Sequence, residues 1–297
     1  MNKETRHRLN GKSVAEISII AANYNNGDYL NDFIDSVFNS EVLPRELIIV
    51  DDGSTDRSRA ILAKHASLPL LKTLFFESNK GFAVALNAGL QMAKGKYVMR
   101  ADPDDILHPE RIAKQYQFLE ARPDVDMVGC NAVYFLDGVD GKVRELTGTN
   151  FPTTHDAIVK AYKKGEHGLL HATVCGKREV YQGYRYQDLS PGEDYELFAR
   201  MVRDGRRFAS LDEVLYKVRV HPGSASSQIT REAIWRTFDF RDRIFLTKTS
   251  KRKRWLYYWH IRHYRQALLA RHPIKKHGHL LAAAALYPHK LFKRLKW

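Results

Sequence analysis

The stretch YVMRADPDDIL, residues 97 to 107, sets three carboxylates, Asp102, Asp104 and Asp105, within four positions directly after an apolar run. Like charges this close are tolerated in a folded chain only when solvent, protonation or a cation offsets their repulsion. Asp and Pro are ordinary turn formers, so a solvated turn is one reading. The position favours another: oxygen ligands on short, stiff side chains at the end of a buried strand suit a hard divalent ion such as Mg²⁺ or Mn²⁺. Such an ion leaves coordination sites for water or substrate phosphates.

The loop DDGSTD, residues 51 to 56, raises the same question. Ser54 or Thr55 reads as a helix cap, with Asp56 placed well against the helix dipole. Asp51 and Asp52 precede the cap, where a carboxylate can accept hydrogen bonds from a nucleobase N–H or a ribose hydroxyl. Tyr24, in ANYNN, could offer a flat face to a base or simply pack. Glu193 and Asp194 in GEDYELFARMVRDG read first as acids in a helix's opening turn. His221 reads as a solvated loop histidine, and His171 either borders a site or hydrogen-bonds in the core.

Short β-branched runs, ISIIAA (17 to 22), ELIIV (46 to 50), LLKTLFF (70 to 76) and KYVMR (96 to 100), read as buried strands. Between them DYLNDFIDSVFNS, DRSRAILAKHA and FAVALNAGLQMA have helical spacing, with starts marked by Asp28, by Ser54 to Asp56 and by Asn79 to Gly81. That alternation predicts an α/β fold, a doubly wound, mainly parallel sheet flanked by helices. Ligands on such sheets sit beyond the carboxyl ends of the strands. The loops NYNNGDY, DDGSTD, ESNKGF and ADPDD all fall there, so four strand ends converge on one crevice. The second half is less regular: VDMVGCNAVYFL predicts one or two strands, HDAIVKAYKK a helix, HATVCGKREVY a strand or loop, and EVLYKVRVHPGSAS a strand entering a polar loop.

Composition sets the limits around this core. The chain has 297 residues, 44% hydrophobic, and a net charge of +14. Residues 229 to 297 carry 18 Lys and Arg against three Asp and Glu, whereas residues 1 to 228 are nearly balanced. A neutral domain with a basic tail has two kinds of partner, because a concentrated basic segment seeks a polyanionic surface. The polar segment 1 to 16 lacks the apolar stretch of a secretory signal, and no apolar run approaches the roughly 20 residues of a membrane span. A cytoplasmic protein is expected. Cys130 and Cys175 form no paired ligand spacing and are expected to be buried free thiols.

The ordered set NYN, VDDGSTD, NKGFAVALNAGL, YVMRADPDD and GEDYELFARMVRDG resembles the family 2 glycosyltransferases, inverting enzymes of the GT-A fold that use nucleotide-activated sugars. The match runs over residues 17 to 225, roughly three quarters of the chain. The resemblance implies a GT-A domain over 17 to 228, with a nucleotide-binding half (17 to 115) and an acceptor-binding half (116 to 228), followed by a basic aromatic helical extension over 229 to 297. It implies donor nucleotide contacts from Tyr24, Asn25, Asp52, Asn79 and Asp102, with Asp102 on the ribose or metal shell. Asp104 would hold Mn²⁺ or Mg²⁺, with His221 as a further metal or diphosphate contact. Asp194 would be the catalytic base, with Glu193 beside it and His171 near the acceptor. Two positions depart from the family pattern: Leu86 stands where Arg is frequent, and Ala22 where Pro is frequent.

The implied reaction is a single inverting displacement from a nucleoside-diphosphate donor, UDP-sugar foremost, to a glycan or lipid-linked acceptor in cell-envelope or surface polysaccharide synthesis. Two other classes fit parts of the pattern. A nucleotidyltransferase also builds a carboxylate-metal crevice, but AANYNNGDY lacks that class's basic glycine-rich loop. A non-catalytic binding protein would have no use for both Asp104 and Asp194. The tail interleaves cations with large aromatics, as in RKRWLYYWHIRHYRQALLARHPIKK, with Leu280, Ala284, Tyr287 and Leu291 near helical spacing and Pro288 interrupting. It reads as a packing helix or as a peripheral contact with an anionic membrane on the cytoplasmic face of the inner membrane. Nucleic acid is not an expected partner.

Overall fold

The computed structural model describes residues 8–9, 11–137, 143–189, 191–221, 223, 230–270 and 272–287. In chain order the elements are β1 (Arg8–Leu9), β2 (Lys12–Asn23), α1 (Leu30–Phe38), β3 (Leu43–Asp51), α2 (Ser58–Lys64), β4 (Leu71–Phe75), α3 (Phe82–Met92), β5 (Tyr97–Arg100) and β6 (Ile106–Leu107). Then follow α4 (Arg111–Ala121), β7 (Met127–Asp137), β8 (Val143–Gly148), α5 (His155–Lys164), a 3₁₀ turn (His171–Thr173), β9 (Cys175–Lys177), α6 (Arg178–Gly183), α7 (Glu193–Arg203) and β10 (Phe208–Arg219). The basic tail supplies α8 (Arg231–Ile244), α9 (Lys251–Leu269) and α10 (Pro273–Leu286).

The apolar runs of β2 and β3 are buried on both faces, as strands between two helical layers must be. The helices that cover them are one-sided. In α1 the buried residues Leu30, Phe33, Ile34 and Val37 follow the i, i+3, i+4, i+7 pattern, while Asn31 and Asp32 face water. The sheet runs β4-β3-β2-β5-β9-β7-β10-β6, with β1 added to β2 and β8 to β7. The first four strands are mutually parallel, and β10 is parallel to β7. Strand β9 is antiparallel to both β5 and β7 and so joins the two parallel groups. The segment expected as strand or loop is thus the seam of the sheet. Chain order reverses between β2 and β5, which places a crevice beyond their carboxyl ends.

Three local expectations are corrected. Ser54 and Thr55 do not cap α2, which begins at Ser58 after Arg57. The Ser54 hydroxyl is occupied elsewhere, accepting from Asn23 Nδ2 (3.2 Å) and the Asn25 amide (3.0 Å), and Asp56 accepts from the Ser58 amide instead (2.9 Å). Asp28 does not start α1; the chain turns first through Tyr29, whose amide donates to the Asn26 carbonyl. The polar segment 1 to 16 joins the sheet through Arg8 and Leu9, which pair with Ser13 and Lys12, and Lys12 Nζ donates to the Phe38 and Ser40 carbonyls.

Helix α8 is continuous with the domain: its Phe240 and Ile244 share a hydrophobic cluster with Phe198 of α7 and Leu86 of α3. Directly after α10, Tyr287 packs on Tyr257 and His260 of α9, so the expected apolar stripe faces protein there. Pro288 and Leu291 lie outside the described residues. Cys130 and Cys175 are buried and free, and burial pushes their thiols up to about 11 and about 12. Among the described residues no helix is long and apolar enough to cross a membrane.

Candidate active site

The first two loops are locked to each other by Asp51, which is fully buried. It accepts from Asn23 Nδ2 (2.8 Å), the Ser54 amide (3.0 Å) and Arg59 Nε (3.2 Å). Asn25 sits at a φ of 56°, a conformation Asn tolerates, and its Oδ1 accepts from the Thr55 amide at 2.8 Å. Asp52 pins the third loop, taking the Lys80 amide on Oδ1 (2.7 Å) and the Gly81 amide on Oδ2 (2.9 Å). These bonds require close approach at Gly53, where φ is 73° and a Cβ would lie 2.4 Å from the Ser78 carbonyl carbon. The structure therefore places Asn25 and Asp52 in the scaffold of the crevice. Tyr24 is 46% exposed at its rim, and Asn79 is exposed beside it.

The three crowded carboxylates each have a separate partner. Asp102 Oδ1 lies 2.5 Å from Nη1 of Arg100, which is fully buried at the end of β5 and stands over the Phe82 ring. The contact is ionic, without hydrogen-bond alignment, so Nη1 and Nε of Arg100 lack hydrogen-bond partners among the described residues. Asp104 Oδ2 meets His221 Nε2 at 2.9 Å. Asp105, buried, accepts the Arg219 amide at 2.8 Å. Burial raises the carboxyl groups of Asp102 and Asp105; for Asp105 the charges of Asp104 and Asp102 add to it, whereas Arg100 opposes the rise at Asp102. Arg219 fastens the cluster to the sheet: Nε donates to the Asp104 carbonyl (2.8 Å), Nη2 to Asp32 (2.8 Å) and Nη1 to Asp137.

Across the crevice, Glu193 and Asp194 open α7 after Gly192, whose φ is 111°. Their surroundings push them in opposite directions. Burial and the neighbouring Asp194 raise Glu193, whose Oε2 has no hydrogen-bond partner among the described residues. Burial pushes Asp194 up too, but His167, the Tyr195 amide and Arg100 oppose it, and the carboxyl stays below its ordinary value. Asp194 is the more acidic member of the pair, and its side chain is still 25% exposed. His167 Nδ1 stands 3.6 Å from Asp194 Oδ2. His171 is enclosed by Phe82, Tyr186 and Phe198, and burial, with Arg100, lowers it to about 3, so it is a neutral ring bonded to the Tyr186 hydroxyl (2.7 Å). A chain of contacts links the two sides: Arg100, paired with Asp102, stands over Phe82, whose ring meets His171 with centroids 6.2 Å apart.

Arg100, His167, Tyr186, Arg219 and Tyr216, whose hydroxyl accepts the Asp102 amide at 2.9 Å, were not foreseen. Arg100 left a trace, since it is the single cation of the strand YVMR; Arg219 shares its strand with Lys217 and does not stand out. His167 left none. Leu86 is buried in the core, so this position contributes no cation to the crevice.

Known proteins resemble this chain in sequence and in fold. A model of the family described as "Glycosyl transferase family 2" matches residues 18–185. The putative teichuronic acid biosynthesis glycosyltransferase TuaG of Bacillus subtilis is 37% identical over 227 residues, covering 76% of this chain and 87% of that protein. The crystal structure of S. aureus TarS 1-349 with UDP-GlcNAc superposes with a TM-score of 0.61 at 18% identity, covering 92% of both chains. A mannosyltransferase from Pyrobaculum calidifontis, solved with GDP-Man and Mn²⁺, superposes with a TM-score of 0.54 at 19% identity over 91% of this chain and 69% of its own. These two share the fold, which is GT-A. With a family model spanning more than half of its length and a relative this similar across most of both sequences, the chain belongs to glycosyl transferase family 2 and is a nucleotide-sugar-dependent glycosyltransferase.

Proposed function

We propose that this enzyme is a metal-dependent, inverting transferase that moves a sugar from a UDP-linked donor to a hydroxyl of a glycan or lipid-linked acceptor in cell-envelope polysaccharide synthesis. One observation carries it: a partly exposed Asp194, held acidic by its neighbours, opens α7, and the Asp104–His221 pair stands at the end of the sheet whose Arg100 acts on both Asp102 and Asp194. The UDP-GlcNAc held by TarS supports the donor, and the naming of TuaG for teichuronic acid synthesis supports the acceptor class.

The donor atoms present suit a divalent ion. Asp104 Oδ2 and His221 Nε2, 2.9 Å apart, offer one oxygen and one nitrogen at side chains 17% and 12% exposed. Among the described residues no group of three His, Cys, Asp or Glu forms a ready cage, so an ion here would need further ligands from water or a substrate diphosphate. The Mn²⁺ beside GDP-Man in the Pyrobaculum enzyme supports that choice. Asp104 and His221 would hold the ion, which when bound stabilises negative charge on the leaving diphosphate. Tyr24 offers its exposed ring to the base, with Asn25, Asn79 and Asp52 shaping the wall behind it. Asp102, held by Arg100, faces the ribose.

Asp194 accepts the proton of the acceptor hydroxyl as that oxygen bonds to the anomeric carbon. The carbon–oxygen bond to the diphosphate breaks on the opposite face, so configuration inverts. Holding both substrates in line supplies much of the acceleration. A thermal-shift screen of UDP- and GDP-sugars, with and without Mn²⁺, tests the donor reading. A UDP-sugar should raise the melting temperature more with Mn²⁺ than without. Incubation should then release UDP, whereas release of pyrophosphate, or no shift with any donor, would defeat it.

The basic extension supports peripheral attachment to an anionic bilayer on the cytoplasmic face. Ile274 (76% exposed) and Leu281 (71% exposed) share one open face of α10 beside the exposed Lys275 and Lys276. Each Lys near such a surface is worth about 1 kcal/mol, so Lys275→Glu with Lys276→Glu should weaken sedimentation with phosphatidylglycerol vesicles by about tenfold or more at low salt. Unchanged sedimentation would sink this attachment. Substitution is the right test because deleting 229 to 297 would strip Phe240 and Ile244 from the core.

A further inference from the structure

A second concave surface lies away from the donor crevice, between the start of α8 and the exposed face of α9. It is an open, shallow concavity of about 500 Å³ bordered by Arg231, Glu232, Trp255, Tyr258, Trp259 and Arg262, a shape that suits an extended chain lying along the surface. Trp255 and Trp259 are 41% and 39% exposed, large values for residues that a folded chain ordinarily covers. They are not loose. Trp235, Trp255, Tyr258 and Trp259 form an edge-to-face series with successive centroid separations of 5.0, 5.9 and 5.5 Å. Arg231 stands 5.9 Å over Trp255 and Arg262 5.1 Å over Trp259, so each exposed indole has a guanidinium beside it.

We propose that this cleft binds the acceptor glycan some distance from its reacting end, and that the glycan carries negative charge. The acceptor role rests on the transferase reading given above. A pyranose ring has an apolar face of C–H bonds that lies against the electron-rich face of an indole, while its hydroxyls need polar partners at the rim. Glu232, Arg231 and Arg262 provide them. Two exposed guanidiniums in a segment with 18 cations against three acids favour carboxylate or phosphate groups, which Arg pairs in bidentate fashion.

The cleft is also connected to the chemistry. Thr237 of α8 is 3.9 Å from where a Cβ on Gly192 would lie, and Arg236 Nη1 donates to the Leu189 carbonyl (3.3 Å). Gly192 immediately precedes Glu193 and Asp194. At 1.5 Å per residue, Arg231 is about 9 Å along α8 from that contact. A chain of a few sugars leaving Asp194 reaches it. A bilayer suits the cleft less well, because the two indoles line a concave surface and do not project from it.

The test is isothermal titration of the full chain with hexagalacturonate, an anionic oligosaccharide, and with maltohexaose, a neutral one, alongside sedimentation with phosphatidylglycerol vesicles. Hexagalacturonate should bind more tightly than maltohexaose and lose affinity with added salt. Trp259→Ala should weaken it by about tenfold or more, the size expected for a central aromatic contact. Arg262→Gln, at an exposed position, should weaken hexagalacturonate but not maltohexaose. The melting shift with a UDP-sugar should stay unchanged in both variants. Absence of binding by either oligosaccharide at millimolar concentration, or equal binding by wild type and both variants, would overturn the proposal. Loss of vesicle sedimentation in these variants with oligosaccharide binding intact would instead assign the cleft to a membrane. A wild-type protein that binds hexagalacturonate but shifts with no nucleotide sugar would count against the donor reading alone.

Discussion

Asp194→Asn should reduce sugar transfer by about 10²- to 10⁴-fold, the usual contribution of a general base, while leaving the melting shift with a UDP-sugar within error of wild type. The substitution is nearly isosteric, and the amide oxygen can still accept the Tyr195 N–H that Asp194 holds at 2.7 Å. What it removes is the charge and the proton-accepting oxygen. Its effect should therefore fall on kcat and hardly at all on donor affinity. Because the surrounding groups hold the Asp194 carboxyl below its ordinary value, it remains ionised through the neutral range and loses its proton-accepting form only as pH falls below the usual carboxylate region. The acidic limb of the wild-type rate profile should accordingly lie at or below that region. Normal turnover by the variant would transfer the role to Glu193, whose raised value predicts an acidic limb displaced toward neutrality.

Asp104→Asn should abolish the Mn²⁺-dependent part of the melting shift and cut kcat by about 10²-fold or more, comparable to removing one electrostatic stabiliser from a preorganised site. The change also removes one of three adjacent negative charges, so the protein without metal should melt no lower than wild type. That pairing of results separates a lost ion site from a damaged fold. His221→Ala, which takes away the nitrogen 2.9 Å from Asp104, should show the same pattern with a smaller loss. Retention of the full manganese effect by Asp104→Asn would remove Asp104 from the metal site. Kinetics and thermal shifts at matched metal concentrations check both expectations.

Much of the scaffold was readable from residue order. The runs ISIIAA and ELIIV are long enough and apolar enough to be strands buried on both faces, and their alternation with one-sided helices permits few other arrangements. The crevice followed from the same logic, since polar loops at the carboxyl ends of parallel strands have no other place to meet. Local caps were less legible. Ser54 looks like a cap in a linear reading, but Asn23 and Asn25, about thirty residues earlier in the chain, reach its hydroxyl and move the helix start to Ser58.

The amino-acid order by itself determined which acids stand at strand ends and which helix carries Asp194, because hydrophobic periodicity and glycine placement are local properties of the chain. Tertiary structure alone decided which acid has which partner: Arg100 with Asp102, His221 with Asp104, the Arg219 amide with Asp105, and His167 near Asp194. Charge states depend on distances of a few ångströms between residues up to 117 positions apart, and on how much water is excluded around them. The same holds for the cleft on α8 and α9. Its tryptophans are visible in the sequence as a basic aromatic run, but only the packing of α9 against α8, with Trp255 on Trp235, turns them into a concave surface.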